Sequence, residues 1–392
     1  MLLRFSVSNR LSMRDRQELS LTASSLKDPT QGLIDCPSAP SGSVLPAALI
    51  YGANASGKSN LVDSIRVMKE MVLNSHRKGE PGGGVALRRP FALDPANPPS
   101  PTGFDVDFVL DGVRHHYGFE ASDEAFLSEW LYAFPKGHRR MLFERESDVF
   151  HFGRALGGQN KTIAALARPN SLYVSAAAQN GHKHLSGVFA YFRSIRGFVG
   201  MDVREEAVSP YFVEEEPDAR VIEFLAKIGT GIIDYRRKES AIELGHRGHD
   251  GRPVFLSMGR ESAGTRRLLF VLDLVFRALD KGVPLCVDEL DASLHTHASE
   301  AVLALFCSRD TNPKGAQLIA TTHDSELMRS SVLRRDQLWF TDKDASGATR
   351  LYPLTDIRTR SGDDFAKGYL QGRYGAVPSD EAMVARGTQS RG

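Results

Sequence analysis

Residues 52–59 read Gly52-Ala53-Asn54-Ala55-Ser56-Gly57-Lys58-Ser59, a match to the spacing G-x-x-x-x-G-K-[ST]. This loop constrains the fold more than any other stretch, because it works only between a buried strand and the N-terminus of a helix. Both are at hand. Residues 46–51 are a short apolar run, and residues 60–73 place Leu61, Ile65, Met68 and Val72 on one helical face.

The residue types dictate the chemistry. Glycines let successive backbone N–H groups, here those from Gly52 through Asn54, Ala55, Ser56 and Gly57 to Asn60, turn inward around phosphate at a positive helix end. Lys58 would neutralise β- and γ-phosphate charge, and the Ser59 hydroxyl would offer a hard oxygen to Mg²⁺. The motif therefore implies ATP or GTP with Mg²⁺.

A second chemical region starts near residue 255. Ser262 and Gly264 open a helix whose apolar positions Leu268, Leu269, Leu272, Val275, Phe276 and Leu279 share a face; the start is an anion site or an ordinary cap. The apolar strand 283–287 then ends in Asp288-Glu289, as a Walker B strand does. Asp288 would hold Mg²⁺ through water, and Glu289 would act as general base. A helix is expected from about Leu290 through Phe306, and the strand 317–322 ends in His323, placed to contact a γ-phosphate.

Phosphate loop, Ser-Gly helix start, acidic strand end, Asp291 and strand-end His323 follow one another in an order that resembles the ATP-binding-cassette (ABC) class of P-loop ATPases, in its SMC, RecF and OLD branch. The resemblance implies Walker A at 52–59, a signature motif at 262–265, Walker B at Asp288-Glu289, a D-loop at Asp291 and an H-switch at His323. Within that class, Asn9-Arg10-Leu11-Ser12, the phosphate loop, residues 287–295 and residues 367–376 resemble the compact AAA-type, RloA-like proteins of abortive-infection and restriction-linked loci. That likeness implies a defence ATPase: an ATP-gated homodimer, or higher even oligomer, acting on a separately encoded effector. The alternative is a RecF-like clamp on DNA.

The expected fold is α/β, a P-loop NTPase of ABC-ATPase type with a mixed sheet, an antiparallel β subdomain and a short helical insertion. Residues 1–180 would form a first lobe, 181–254 the insertion, 255–350 a second lobe and 351–392 a C-terminal segment. Alternation at 104–110 and 116–120 around Asp111-Gly112 signals a hairpin in the first lobe. The insertion is too short and irregular for an SMC-type coiled coil. Residues 171–175 read as a strand followed by Gln179, a candidate Q-loop amide or a plain loop residue. Asp342 and Asp344 could imitate a nuclease DxD pair, but Ser346-Gly347 between apolar runs makes a hairpin the simpler reading.

Composition closes off other classes. A formal net charge of +1 gives no general field for nucleic acid, leaving only the local patches Arg88-Arg89, Arg139-Arg140, Arg236-Arg237-Lys238 and Arg334-Arg335. Cys36, Cys286 and Cys307 are too few and too scattered for a disulfide framework or zinc site. With no membrane-length apolar stretch and no signal-peptide pattern, a cytoplasmic chain without a membrane partner is expected. Gly- and Pro-rich stretches at 82–84 and 95–101 read as loops, and the residues after Pro378 as a polar tail. Tyr369, Arg373 and Tyr374 either dock a partner or pack on their own domain.

Overall fold

The structure, a computed structural model, describes residues 1–30, 32–95, 99–199, 218–238, 241–360 and 362–377. The polar tail and the middle of the Pro-rich stretch lie outside the described residues.

The chain opens with an antiparallel pair, β1 (Leu2–Ser8) and β2 (Gln17–Ser20), and a short ladder of β3 (Ile34–Asp35) with β4 (Ser43–Val44). β5 (Ala47–Gly52) then feeds the phosphate loop and α1 (Lys58–Lys78). A meander follows: β6 (Thr102–Leu110), β7 (Val113–Ala121), β8 (Phe126–Phe134), β9 (Arg140–Glu146) and β10 (Val149–Phe152). Helices α2 (Asn160–Ala164), α3 (Tyr173–Gln179) and α4 (Lys183–Ser194) lead to β11 (Arg196–Val199). Beyond come α5 (Ala219–Lys227), β12 (Ile232–Lys238), β13 (Ala241–Arg247), β14 (Pro253–Ser257) and α6 (Ala263–Lys281). The last elements are β15 (Pro284–Val287), α7 (Thr296–Phe306), β16 (Gln317–Thr321), β17 (Leu338–Lys343), β18 (Thr349–Pro353) and α8 (Phe365–Leu370).

These elements make a mixed α/β fold on two main sheets. One is seven-stranded and antiparallel, in the order β10-β9-β8-β7-β6-β1-β2. The other is six-stranded, β11-β15-β16-β5-β17-β18, parallel except for the β17–β18 hairpin at its edge. That hairpin carries Asp342 and Asp344, as turn chemistry requires.

The strands of the six-stranded sheet are apolar throughout because both faces are covered. In β5, Ala48 and Ile50 join a core shared with the seven-stranded sheet and α1, whereas Ala47, Leu49 and Tyr51 enter a second core built with α6, α7 and α8. Period-two alternation of side chains thus splits one strand between two cores.

Three expectations need correction. The segment 171–175 does not form a strand: helix α3 starts at Tyr173, because the buried Glu129 carboxylate accepts the N–H groups of Tyr173 at 2.5 Å and Val174 at 3.1 Å. An anionic cap on the first turn outweighs β-propensity there, and Gln179 ends a helix. The stretch 182–250 is not simply helical: among its described residues α4 and α5 are the helices, and β12–β13–β14 form a separate antiparallel sheet. Alternation of buried Ile242 and Leu244, with a turn closed by Gly248 N–H on Arg252 O at 2.8 Å, is a strand signal that the helical reading passed over. Finally, α7 starts at Thr296, later than expected, since residues 290–294 form a tight turn with Ser293 at φ +60°.

Candidate functional site

The phosphate loop sits at the C-terminal end of β5, inside the sheet. Gly57 has φ +110°, and a Cβ there would meet Ser12 Oγ at 2.8 Å and crowd Thr349, so only glycine fits. Lys58, 6% exposed, folds its ammonium back to Gly52 O at 2.7 Å and Ala53 O at 3.0 Å. Burial lowers its pKa, opposed by the carboxylates of Asp288, Asp291 and Glu289. The loop lysine therefore shares one electrostatic neighbourhood with the acidic strand end, although the two are some 230 residues apart in the chain. Asn54, Ala55 and the Ser59 side chain on the first turn of α1 are exposed to solvent.

A layer of hydroxyls that sequence reasoning missed supports the loop from below. Ser56 Oγ lies 2.7 Å from Thr341 Oγ1, which also donates to Tyr51 O at 3.2 Å. Thr349 Oγ1 lies 2.7 Å from both Ser56 O and Ser12 Oγ, and Asn60 Nδ2 donates to the same Ser12 oxygen at 2.7 Å. Asn60, expected at the nucleotide, is thereby engaged with the N-terminal loop. The available signal was a threonine on each strand of the β17–β18 hairpin.

The strand between the two chemical ends is β16, paired with β5 on one side and β15 on the other. Its last residue, Thr321, is fully buried; it donates to Asp288 Oδ1 at 2.6 Å and accepts the Glu289 N–H at 2.7 Å. Glu289 itself takes φ +54°, a sparsely populated region for a residue with a side chain. Two residues on, Asp291 accepts the His323 backbone N–H at 3.2 Å on each oxygen, and the His323 side chain is exposed. Thus Lys58, Asp288, Glu289, Asp291 and His323 cluster at one end of the sheet.

Helix α6 starts beside this turn. Ser262 is exposed and caps the helix, accepting the Thr265 N–H at 3.0 Å. Gly264 lies against the turn after Asp291, where a Cβ would come within 2.6 Å of Ser293 O. One turn further on, Arg267 donates to Asp288 O at 3.3 Å and Glu289 O at 3.1 Å.

The donor set fits a magnesium triphosphate: a glycine-permitted turn with its ammonium, a serine hydroxyl, and a carboxylate pair. Ser59 and Asp288 are the residues that could hold the metal.

Other sequence-predicted features are absorbed by the fold. Arg334 pairs with Asp336 at 2.9 Å and Arg335 with Asp28 at 2.8 Å, Arg334 being buried, so neither is a phosphate-facing patch. Arg236 pairs with Glu243 at 2.7 Å, and Arg88 with Asp123. Tyr369 and Tyr374 pack inward, with the Tyr369 ring 5.8 Å from Tyr51 and 5.7 Å from Phe340; Arg373 stays exposed. Asp105, Asp107 and His116 bring metal-ligand atoms together on the seven-stranded sheet. Arg4 already pairs with both carboxylates at 2.9 and 3.2 Å, and Arg114 pairs with Asp107, so the cluster is a closed ion-pair network. No helix among the described residues is long and apolar enough to cross a membrane.

A search of curated proteins finds no match to the chain. The family described as "AAA domain, putative AbiEii toxin, Type IV TA system" matches residues 47–329, well over half of the sequence. That span begins with β5 and includes the phosphate loop, Ser262, Asp288, Glu289, Asp291 and His323, while the supporting Ser12, Thr341 and Thr349 lie outside it. The chain belongs to this AAA family, whose domain points to ATP binding and ATPase activity.

Proposed function

We propose that this protein binds and hydrolyses ATP as an ABC-type ATPase of the SMC/RecF/OLD branch, and that an ATP-gated dimer signals to a separately encoded effector in anti-phage defence. The observation that carries the reading is the convergence of Lys58 with Asp288 and Glu289 across β16. The family description, with its toxin–antitoxin association, supports the defence part.

In this reading Lys58 leaves the loop carbonyls to meet β- and γ-phosphate charge. Magnesium, held by Ser59 and Asp288, supplies neutralisation of the phosphate oxygens when bound. Glu289 orients the attacking water and takes its proton, while His323 contacts the γ-phosphate. Catalysis is mostly positioning and charge stabilisation. Ser262 is exposed at the start of α6, with Gly264 half-buried beside it, which supports the use of this helix start as a donor to the mate's nucleotide. The DNA-clamp alternative loses Arg334 and Arg335 to intramolecular ion pairs.

The test is light scattering with phosphate release on the full chain, with and without Mg-ATP. Glu289→Gln is expected to form an ATP-dependent dimer with little turnover, and Ser262→Arg to bind nucleotide as a monomer. Wild-type hydrolysis in Glu289→Gln would remove that residue from the base role. An ATP-independent oligomeric state in every variant would end the gating proposal.

A further inference from the structure

Glu289 is held at both its backbone N–H and its backbone carbonyl. Its N–H goes to Thr321 Oγ1 at 2.7 Å, and its carbonyl receives Ala292 N–H at 3.0 Å and Arg267 at 3.1 Å. The left-handed φ of +54° needs such restraint, because a residue with a Cβ relaxes out of that region when the surroundings allow. Arg267 is the one contributor that does not belong to the Walker B turn or its neighbouring strand. It reaches across from the second turn of α6, whose first turn already touches Ser293 O through Gly264.

The guanidinium is not an ordinary surface ion pair. Its Nε is buried without a hydrogen-bond partner, and no salt bridge to a carboxylate is formed by Arg267 among the described residues. Instead one terminal nitrogen serves two successive carbonyls, Asp288 O at 3.3 Å and Glu289 O at 3.1 Å. A planar fork fixed in direction suits this task better than a flexible ammonium does.

We infer that Arg267 is a positioning residue for ATP hydrolysis: it clamps the Asp288–Glu289 backbone so that Glu289 faces the nucleotide crevice, and it ties that turn to the partner-facing start of α6. The inference rests on the ATPase reading above. Because Arg267 acts through the backbone of Glu289, its loss misaligns the base without removing a phosphate contact. Nucleotide affinity is therefore spared while turnover falls, and the Ser262 end of α6 loses its link to the state of the acidic turn.

Steady-state phosphate release and thermal melting of the full-length Arg267→Gln and Arg267→Lys proteins test this, with wild type and Glu289→Gln in parallel. For Arg267→Gln the expected result is a kcat lower by roughly 10–100-fold, with KM for ATP within about threefold. Arg267→Lys should regain part of the turnover, since an ammonium can serve one carbonyl. Wild-type kcat per folded molecule in Arg267→Gln would overturn the inference, as would a KM for ATP raised in step with the fall in kcat. Should Arg267→Gln not fold, Arg267→Lys decides: an intermediate kcat with preserved KM supports the clamp, and wild-type kcat refutes it. A wild-type chain without ATP turnover would overturn the ATPase reading, and the clamp would fall with it. Turnover at the wild-type rate in Glu289→Gln alone would remove Glu289 as the residue being aimed and refute the clamp's purpose, with the ATPase reading intact.

Discussion

The Thr321 hydroxyl donates to the Asp288 carboxylate at 2.6 Å and accepts the Glu289 backbone N–H at 2.7 Å, so one buried side chain sets the geometry of both acidic residues. β16 does more than separate the phosphate-loop strand from the acidic strand: it supplies the pin between them.

Thr321→Val keeps the shape and removes the pin. It leaves a buried N–H without its partner, at a cost of about 1–3 kcal/mol. Chemical denaturation should show that loss, and phosphate release should fall by roughly tenfold as the Glu289 turn relaxes. Unchanged values for both would mean that the two hydrogen bonds are incidental.

At Gly57 the expected result is a loss of nucleotide binding on substitution by alanine. A Cβ at φ +110° is strained and crowds Ser12 and Thr349, whose hydroxyls support the loop. Calorimetric titration with Mg-ATP checks this; binding at wild-type affinity would show that the loop tolerates a different path.

The network around His116 gives a pH signature on the seven-stranded sheet. Burial lowers the His116 pKa, but its hydrogen bonds to the Asp105 and Asp107 carboxylates more than offset this and raise it to about 9. Burial pushes Asp107 up, yet His116, Arg4 and Arg114 hold it down at about 2. A raised histidine contributes stability that is complete below its unfolded pKa of roughly 6.5 and fades as pH climbs through the folded value. The depressed Asp107 contributes above roughly 3.9 and fades on acidification toward its folded value. The stability gap between wild type and His116→Gln should therefore shrink between neutral pH and about 9. Denaturant midpoints across that range measure it, and a constant gap would contradict the network.

Tyr369 joins the C-terminal segment to the strand that carries the phosphate loop, stacking near Tyr51 and Phe340 and donating to Ala376 O at 3.2 Å. Tyr369→Ala should cost about 3–5 kcal/mol through the cavity it leaves. Differential scanning calorimetry would show a lowered Tm, whereas an unaltered Tm would mean that the segment is not docked in solution.

Much of the site was legible in the sequence because the phosphate loop, the Asp288-Glu289 pair and His323 are short motifs whose chemistry fixes residue type and spacing. The hairpin at Asp111-Gly112 was equally plain, since turn type and alternation agree there. What stayed hidden depends on contacts between distant segments. Nothing near Tyr173 announces that Glu129, 44 residues earlier, caps its helix. Thr321, Thr341 and Thr349 look like ordinary strand residues until the six-stranded sheet brings their hydroxyls beneath the loop and the acidic turn. Arg267 likewise reads as one of three arginines on an amphipathic helix. The alternation in 241–247 was visible, but helical neighbours on one side drew the whole stretch into a helical reading.

The central claim is that the loop lysine and the acidic doublet serve one nucleotide. The most direct measurement is Mg-ATP binding and phosphate release by wild type, Lys58→Ala and Asp288→Asn side by side. The account predicts saturable turnover in wild type, binding weakened by at least about 10-fold in Lys58→Ala, and turnover abolished in both variants. Wild-type binding and hydrolysis in either variant would contradict it.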